Sequence, residues 1–303
     1  MDSRTVTPPA SSPAASEAAA PYSGAATAAA AAPVEAPTRY RTVHLQRAKD
    51  EGRRFAMLTT YDAMTAALFD EAGVEVLLVG DSLGNTVLGH GSTLPVTLED
   101  MIVFSAAVAR GARRAFVLAD LPFGSYEASP EQAVRAGVRL MKEAGVHGVK
   151  VEGDERFAPH IAAMVAAGVP VMGHIGFTPQ SEHVLGGYRV QGRGEGAAER
   201  LSASARALED AGAFAVLMEM VPSDVAAAVD AALRVPTVGI GAGPKTTGQV
   251  LVWQDMLGLG AGRTPRFVKR YADLRAVMGD AVRAYRADVL SGAFPDPAHA
   301  FES

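Results

Sequence analysis

The stretch Val76-Leu77-Leu78-Val79-Gly80-Asp81-Ser82-Leu83-Gly84 joins an unbroken apolar run to a carboxylate at the point where the run ends. A run without polar alternation reads as a strand covered on both faces, the habit of parallel sheets. The same event recurs in Phe116-Val117-Leu118-Ala119-Asp120, Val149-Lys150-Val151-Glu152 and Ala215-Val216-Leu217-Met218-Glu219. In a closed barrel of parallel strands every carboxyl end opens on one face, where active sites are assembled, so acids from four separate strands converge there. The pattern predicts an α/β protein, a (β/α)8 TIM barrel.

The rest of the chain keeps that rhythm. Four predicted helices end in a common phrase, Glu71-Ala72-Gly73-Val74, Glu143-Ala144-Gly145-Val146, Ala166-Ala167-Gly168-Val169 and Asp210-Ala211-Gly212-Ala213, and an apolar run follows each. Glycine there suits the left-handed cap of a helix. Starts are marked too: Ser129-Pro130-Glu131-Gln132 has the form of a capping box with proline at the first helical position, and Thr97-Leu98-Glu99-Asp100 is a related acidic start. Further strands are predicted at 55–60, 169–173, 237–240 and 249–253, which with the four above makes eight. A helix at 43–51, closed by Gly52, is predicted to cover the lower end of the barrel. Others are placed at 64–72 and, amphipathic, at 272–290.

The first 38 residues are rich in Ala, Pro, Ser and Thr, with almost no large apolar side chain, and are predicted to be a disordered low-complexity tail. Asp2, Glu17 and Glu35 interrupt it and no basic start precedes it, which argues against a targeting segment. Residues 39–303 are then predicted to form one catalytic barrel, close to the roughly 250 residues usual for this fold. Of the 303 residues 49% are apolar and 20% charged, with a net charge of -5 and no basic block, so neither nucleic acid nor an anionic membrane is an expected partner. No apolar run approaches the roughly 20 residues of a membrane helix. There is no cysteine, which excludes disulfides, thiolate metal sites and thiol catalysis.

Strand alternation places Lys150 with Glu152, Asp81 with Val79, Asp120 with Leu118, His174 with Met172 and Glu219 with Leu217, each pair on the barrel interior. A lysine buried there requires an acid or a ligand beside it. Carboxylates without thiols select a hard cation such as Mg²⁺, completed by water or substrate oxygens. Such an ion suits a 2-oxo acid whose neighbouring carbon loses a proton to a further carboxylate.

These residues lie in motifs that closely resemble the 3-methyl-2-oxobutanoate (ketopantoate) hydroxymethyltransferase family. They are Val79-Gly80-Asp81-Ser82-Leu83-Gly84, Gly89-His90-Gly91-Ser92-Thr93-Leu94-Pro95-Val96-Thr97, Ala119-Asp120-Leu121-Pro122-Phe123, Val149-Lys150-Val151-Glu152-Gly153, Gly173-His174-Ile175-Gly176-Phe177-Thr178-Pro179-Gln180 and Gly186-Gly187-Tyr188-Arg189-Val190-Gln191-Gly192-Arg193-Gly194. The resemblance runs in order from about Tyr40 to the end of the chain. It implies a cytoplasmic barrel with one Mg²⁺ per subunit that moves a one-carbon unit from 5,10-methylenetetrahydrofolate to 3-methyl-2-oxobutanoate. The product would be 2-dehydropantoate, for pantothenate and coenzyme A synthesis. By motif position it implies Asp81, Asp120 and Glu152 as metal-associated acids and Asp81, Ser82, Asp120 and Lys150 as substrate contacts. Glu219 matches the catalytic base and His174 a pocket residue. It also implies a homo-oligomer, a decamer.

Simpler roles compete with each assignment. An acid at a strand end often caps the next helix, Lys150 would snorkel to the surface if the register slipped by one residue, and a buried histidine is often structural. Gly239 to Gly243 reads as a tight turn rather than a phosphate loop. Gly186 to Gly194, with Arg189 and Arg193, reads as a lid over an acidic folate tail. One loop, Gly243-Pro244-Lys245-Thr246-Thr247-Gly248, departs from the family, which more often has Asn and Asp near Pro244 and Thr247; the expected consequence falls on the folate side. The rival enzyme class is the isocitrate lyase or phosphoenolpyruvate mutase kind, disfavoured by the missing cysteine. A non-catalytic barrel is disfavoured because all three acids are present.

Overall fold

A computed structural model describes residues 37–262 and 264–301. The tail predicted at 1–38 lies, for residues 1–36, outside them. Eight parallel strands close into one ring in chain order: β1 (Phe55–Thr59), β2 (Val76–Val79), β3 (Phe116–Asp120), β4 (Gly148–Glu152), β5 (Val171–Gly176), β6 (Ala215–Glu219), β7 (Thr237–Ile240) and β8 (Gly248–Leu251), with β8 paired back on β1. The predicted (β/α)8 barrel is the fold observed. The helices are α1 (Thr42–Asp50), α2 (Ala63–Glu71), α3 (Leu83–Thr86), α4 (Leu98–Gly111), α5 (Pro130–Arg139), α6 (Ala158–Ala166), α7 (Glu182–Leu185), α8 (Ala197–Asp210), α9 (Ser223–Ala232), α10 (Trp253–Met256) and α11 (Leu274–Ser291).

Strand alternation sorts the apolar residues into two cores. Inside the ring, Phe55, Met57, Val76, Leu78, Phe116, Leu118, Met172, Ala215, Leu217, Val238 and Val250 pack together, and Leu45 and Ala48 of α1 join them. The N-terminal helix therefore seals the floor of the barrel, as expected. Outside the ring, Leu77, Val79, Val117, Val149, Val171, Val216 and Met218 face Phe69, Met101, Leu140, Ile161 and Leu208 of the helical layer. Burying each such side chain contributes about 1.5–3 kcal/mol, and both faces of every central strand take part, which is why these runs carry so few polar residues.

The repeated helix-ending phrase has a structural cause. Gly73, Gly145, Gly168 and Gly212 all take positive φ, between 75° and 94°. After α2 the N–H of Val74 donates to Phe69 O and that of Gly73 to Asp70 O, the paired bonds that reverse a chain leaving a helix. After α6 the same bonds consume Val169, whose N–H donates to Met164 O, and Pro170 has no N–H to give. The strand predicted at 169–173 consequently starts two residues later and runs on through His174. Thr97 and Asp100 form the reciprocal capping box at α4. At α5, Ser129 accepts from Gln132 N, but the Gln132 side chain reaches one residue further, to Ala128 N.

Two features depart from a regular barrel. The link from β7 to β8 carries no helix, and Gly241 and Gly243 turn it with φ of 62° and 76°, so the tight turn expected at Gly239 to Gly243 is what forms. The link returns to the floor, where Thr247 and Thr237 both bond the Asp230 carboxylate, held in turn by Lys49 of α1 at 2.8 Å. Thr247, expected to bear on the folate side, sits at the opposite end of the barrel and is part of a structural clamp. The strand predicted through Trp253 ends at Leu251, because the Trp253 N–H caps onto Thr59 Oγ1 and opens α10. The second feature is α11, none of whose residues is buried, although Met278, Val282, Tyr285 and Val289 form an apolar stripe at helical spacing.

A buried acid unrelated to the barrel mouth fastens α2 to the loop before β3. The Asp70 carboxylate accepts from the backbone N–H groups of Arg113, Arg114 and Ala115 at 2.6–3.1 Å. Asp70→Ala would strand three donors, and is expected to cost about 3 kcal/mol or more of stability, readable as a lower urea midpoint. An unchanged midpoint would show that water replaces the carboxylate.

Candidate active site

At the carboxyl end of the ring, β3, β4, β5 and β6 bring Asp120, Lys150, Glu152, His174 and Glu219 into one pocket. Asp120, Lys150, Glu152 and His174 are buried, and the Glu219 side chain keeps 17% of its surface exposed, enough to meet a substrate. Lys150 Nζ lies 3.2 Å from Asp120 Oδ1, 3.5 Å from Glu152 Oε1 and 3.1 Å from His174 Nδ1. The predicted strand register is therefore correct for these residues, and Lys150 points inward rather than snorkelling.

Asp81 arrives differently. Val79, its expected partner in alternation, packs outside the ring, and the inward positions of β2 are Val76 and Leu78. Asp81 sits in the turn after β2, where period-two alternation no longer applies, and reaches the pocket because that turn folds over the mouth. Its N–H donates to Asp120 Oδ2 at 3.0 Å, and its Oδ2 accepts from Gln180 Nε2 at 2.8 Å. Gly80 permits this close turn, since a Cβ there would stand 2.7 Å from Ser82 Oγ. Ser82 is half-buried at the start of α3, its Oγ 2.9 Å from the Tyr61 hydroxyl. None of the strand-end acids caps the helix that follows its own strand; among the described residues side-chain caps come from Asp62, Thr97, Ser129, Asp154, Asp273 and Asp296.

Charge in this pocket is distributed unevenly. Burial, then the nearby charges of Asp120 and Glu152, raise Asp81 well above the ordinary carboxylate range, and burial raises Asp120 against the pull of Lys150. Burial alone would raise Glu152 too, but Lys150 and a hydrogen bond from His174 outweigh it and hold that carboxyl low. Burial works against the Lys150 ammonium, yet the three surrounding acids outweigh it and keep it charged. Burial and Lys150 together lower His174, so its ring is neutral. Its Nδ1 meets both Lys150 Nζ and Glu152 Oε1, of which a neutral ring serves one at a time, and its Nε2 lies 3.6 Å from Glu219 Oε2. Glu219 itself is pushed up to about 8 by burial and by the charge of Glu152.

The donor set at the mouth suits a hard divalent cation. Asp120 Oδ1 is buried without a hydrogen bond, because Lys150 Nζ approaches it as an ion-pair partner but outside hydrogen-bonding geometry. A carboxylate oxygen without a hydrogen bond, on the acid that accepts from the N–H of a second acid, Asp81, suits Mg²⁺, which uses one or two carboxylates and fills its octahedron with water and substrate oxygens. Among the described residues no group of three or more His, Asp or Glu side chains is arranged to hold a metal by itself. The residues fit a cation that is completed by a ligand rather than caged by protein.

Three residues of the site carried no role in the sequence. They are Gln180, Tyr126 and Tyr61; the two tyrosines are loop-borne polar groups that only burial reveals. Gln180 at least lies in a motif that could have flagged it. The segment from Gly186 to Gly194 is tied down near Glu219: Gln191 N donates to O of Met220, the next residue, at 2.9 Å, and Tyr188 packs on Phe177 with ring centres 4.7 Å apart. Met220 takes a left-handed φ of 49°, the one non-glycine to do so among the described residues, and so turns the chain sharply after Glu219.

A (β/α)8 barrel with buried acids, a lysine and a shifted glutamate gathered at the carboxyl ends of its strands is an enzyme barrel acting on small molecules. The family model for ketopantoate hydroxymethyltransferase matches residues 39–297, and the chain belongs to that family. The 3-methyl-2-oxobutanoate hydroxymethyltransferase of Paenarthrobacter aurescens (strain TC1) is 63% identical over 264 residues, covering 87% of each chain. That of Leifsonia xyli subsp. xyli (strain CTCB07) is 60% identical over 266 residues, covering 88% of this chain and 96% of the relative. The protein is thus a transferase of the hydroxymethyl group. Among solved structures, phosphonopyruvate hydrolase in complex with oxalate and Mg²⁺ superposes with a TM-score of 0.56 at 16% identity, over 85% of this chain and 92% of that one. A 2,3-dimethylmalate lyase of the PEP mutase/isocitrate lyase superfamily gives 0.56 at 18% identity, over 86% and 88%. At these identities the likeness is one of fold. No described helix is long and apolar enough to cross a membrane.

Proposed function

We propose that the enzyme takes its one-carbon unit from 5,10-methylenetetrahydrofolate and, with one water, adds it as hydroxymethyl to C3 of 3-methyl-2-oxobutanoate, releasing 2-dehydropantoate and tetrahydrofolate. The observation that carries this is the segregation of charge at the mouth. Lys150 neutralises a cluster of acids on one side, and Glu219, on its own strand and pushed up to about 8, lies outside that ion-paired cluster and takes a proton once it is ionised.

Asp81 and Asp120 would hold Mg²⁺, with Glu152 associated behind them, its oxygens engaged by Lys150, His174 and Gln180. Bound there, the cation would supply Lewis-acid polarisation of the keto oxygen. Lys150 adds positive charge beside the same oxygens, and Ser82 offers a hydroxyl to the substrate carboxylate. Glu219 removes the C3 proton, and the carbanionic carbon so formed attacks the one-carbon unit. His174, neutral, holds Lys150 through Nδ1 and turns its unpartnered Nε2 toward Glu219. The lid, with exposed Arg189 and Arg193, covers the folate tail.

The reaction belongs to pantothenate and coenzyme A biosynthesis in the cytoplasm, by a homo-oligomer, a decamer, whose assembly would cover the apolar stripe of α11. Two measurements test the site. Purified protein given 3-methyl-2-oxobutanoate and 5,10-methylenetetrahydrofolate should form 2-dehydropantoate; no product would overturn the assignment of donor. After chelation, oxo-acid binding should return on titration with Mg²⁺, and Asp81→Asn or Glu152→Gln should weaken that return at least tenfold. Return at the unmodified concentration would remove these acids from the cation site.

A further inference from the structure

Gln180 occupies a place in the pocket that its position in a loop does not announce. It lies in a short 3-10 turn (Pro179–Ser181) after β5, and it is buried. Every hydrogen-bonding atom of its amide is used. Nε2 donates to Asp81 Oδ2 at 2.8 Å and to Leu121 O at 2.9 Å, while Oε1 accepts from the Tyr126 hydroxyl at 2.6 Å. The opposite amide orientation would set Oε1 against two acceptors, so the surroundings define which end is which. The backbone N–H of the same residue donates to Glu152 Oε2 at 2.9 Å.

We propose that Gln180, oriented by Tyr126, is the positioning residue that fixes Asp81 relative to Glu152 for cation binding. The proposal rests on the assignment of these acids to the cation given above. Asp81, in the turn after β2, and Glu152, at the end of β4, repel each other when both are ionised, and among the described residues nothing but Gln180 donates to the Asp81 side chain. A neutral amide suits this position because it holds Asp81 through one oxygen, leaving the other for a ligand, without adding a charge that competes with the cation. Tyr126 fixes the amide in turn: its one hydroxyl hydrogen goes to Gln180 Oε1, the nearer of two acceptors, the other being Glu152 O at 3.0 Å. Groups that orient metal ligands in this way typically contribute a factor of about 10–100 in metal affinity.

The test uses Gln180→Met, which keeps length and volume but removes both donors, and Tyr126→Phe, which frees the amide to turn. Mg²⁺ affinity in the presence of 3-methyl-2-oxobutanoate is read by calorimetry, and melting temperature with and without Mg²⁺. Gln180→Met should raise the Mg²⁺ dissociation constant about 10–100-fold and lose most of the Mg²⁺-induced rise in melting temperature, with Tyr126→Phe in the same direction. Gln180→Glu, which sets a carboxylate against Asp81, should lose more than Gln180→Met. If the unmodified enzyme itself gains no affinity from Mg²⁺, the cation assignment fails. If it does, and the variants bind Mg²⁺ equally well or merely melt lower by the same amount with and without the ion, the positioning role is overturned.

Discussion

Glu219→Gln should bind 3-methyl-2-oxobutanoate with Mg²⁺ as the unmodified enzyme does and lose exchange of the C3 hydrogen with solvent by a factor of about 10²–10⁴. The amide copies the shape of the protonated acid, which is the form Glu219 holds below about pH 8 in the metal-free protein. Exchange by the unmodified protein is therefore expected to climb as pH rises toward 8, when the carboxylate becomes available, and the variant should show no such climb. Full exchange in Glu219→Gln, followed by NMR in deuterated buffer, would remove Glu219 from the role of base. The same substitution has an opposite effect on stability. An acid whose folded pKa is raised costs nothing below its unfolded value near 4.5 and penalises the fold progressively up to about 8. The variant escapes that penalty, so its melting temperature without metal should exceed the parent's little at pH 4.5 and most at pH 8 and above, by the equivalent of a few kcal/mol at roughly 1.4 kcal/mol per pKa unit.

Lys150→Met is expected to be the most damaging substitution at the mouth. It keeps the aliphatic stem and removes the one cation among Asp81, Asp120 and Glu152, leaving buried like charges uncompensated. Breaking a buried pair from one side costs about 3–5 kcal/mol. Without the ammonium, Asp120 and Glu152 would have folded pKa values above their unfolded ones. The deficit should therefore be large at pH 7.5 and shrink toward pH 5 as the acids take up protons in the folded protein. Equal melting-temperature deficits at both pH values would show that the stem, and not the charge, is what the pocket needs.

What could be learned from sequence divides along a physical line. Asp120, Lys150, Glu152 and Glu219 sit on strands, where a period of two converts position into direction, and their convergence was legible before any coordinates. Asp81 was expected in the pocket for the wrong reason: Val79 faces the helices, and the turn at Gly80 redirects the chain. One strand start was misplaced where a helix exit consumed residues, at Val169, and one strand end where a backbone N–H found a side-chain acceptor, at Trp253. Gln180, Tyr126 and Asp70 were silent because a polar residue in a loop or on a helix looks alike whether it meets water or a buried partner. The floor clamp of Asp230, Thr237 and Thr247 was hidden for the same reason.

The pairing of β1 with β8 joins residues 55–58 to 248–251, segments separated by all six other strands of the barrel. Contacts that distant in sequence form late, because the entropy of closing the intervening loop is lost before the contact repays it. During synthesis the first strand emerges early and waits with an open edge, a template for pairing with other chains. The absence of a helix between the last two strands shortens that wait, since β8 can dock within a few residues of β7.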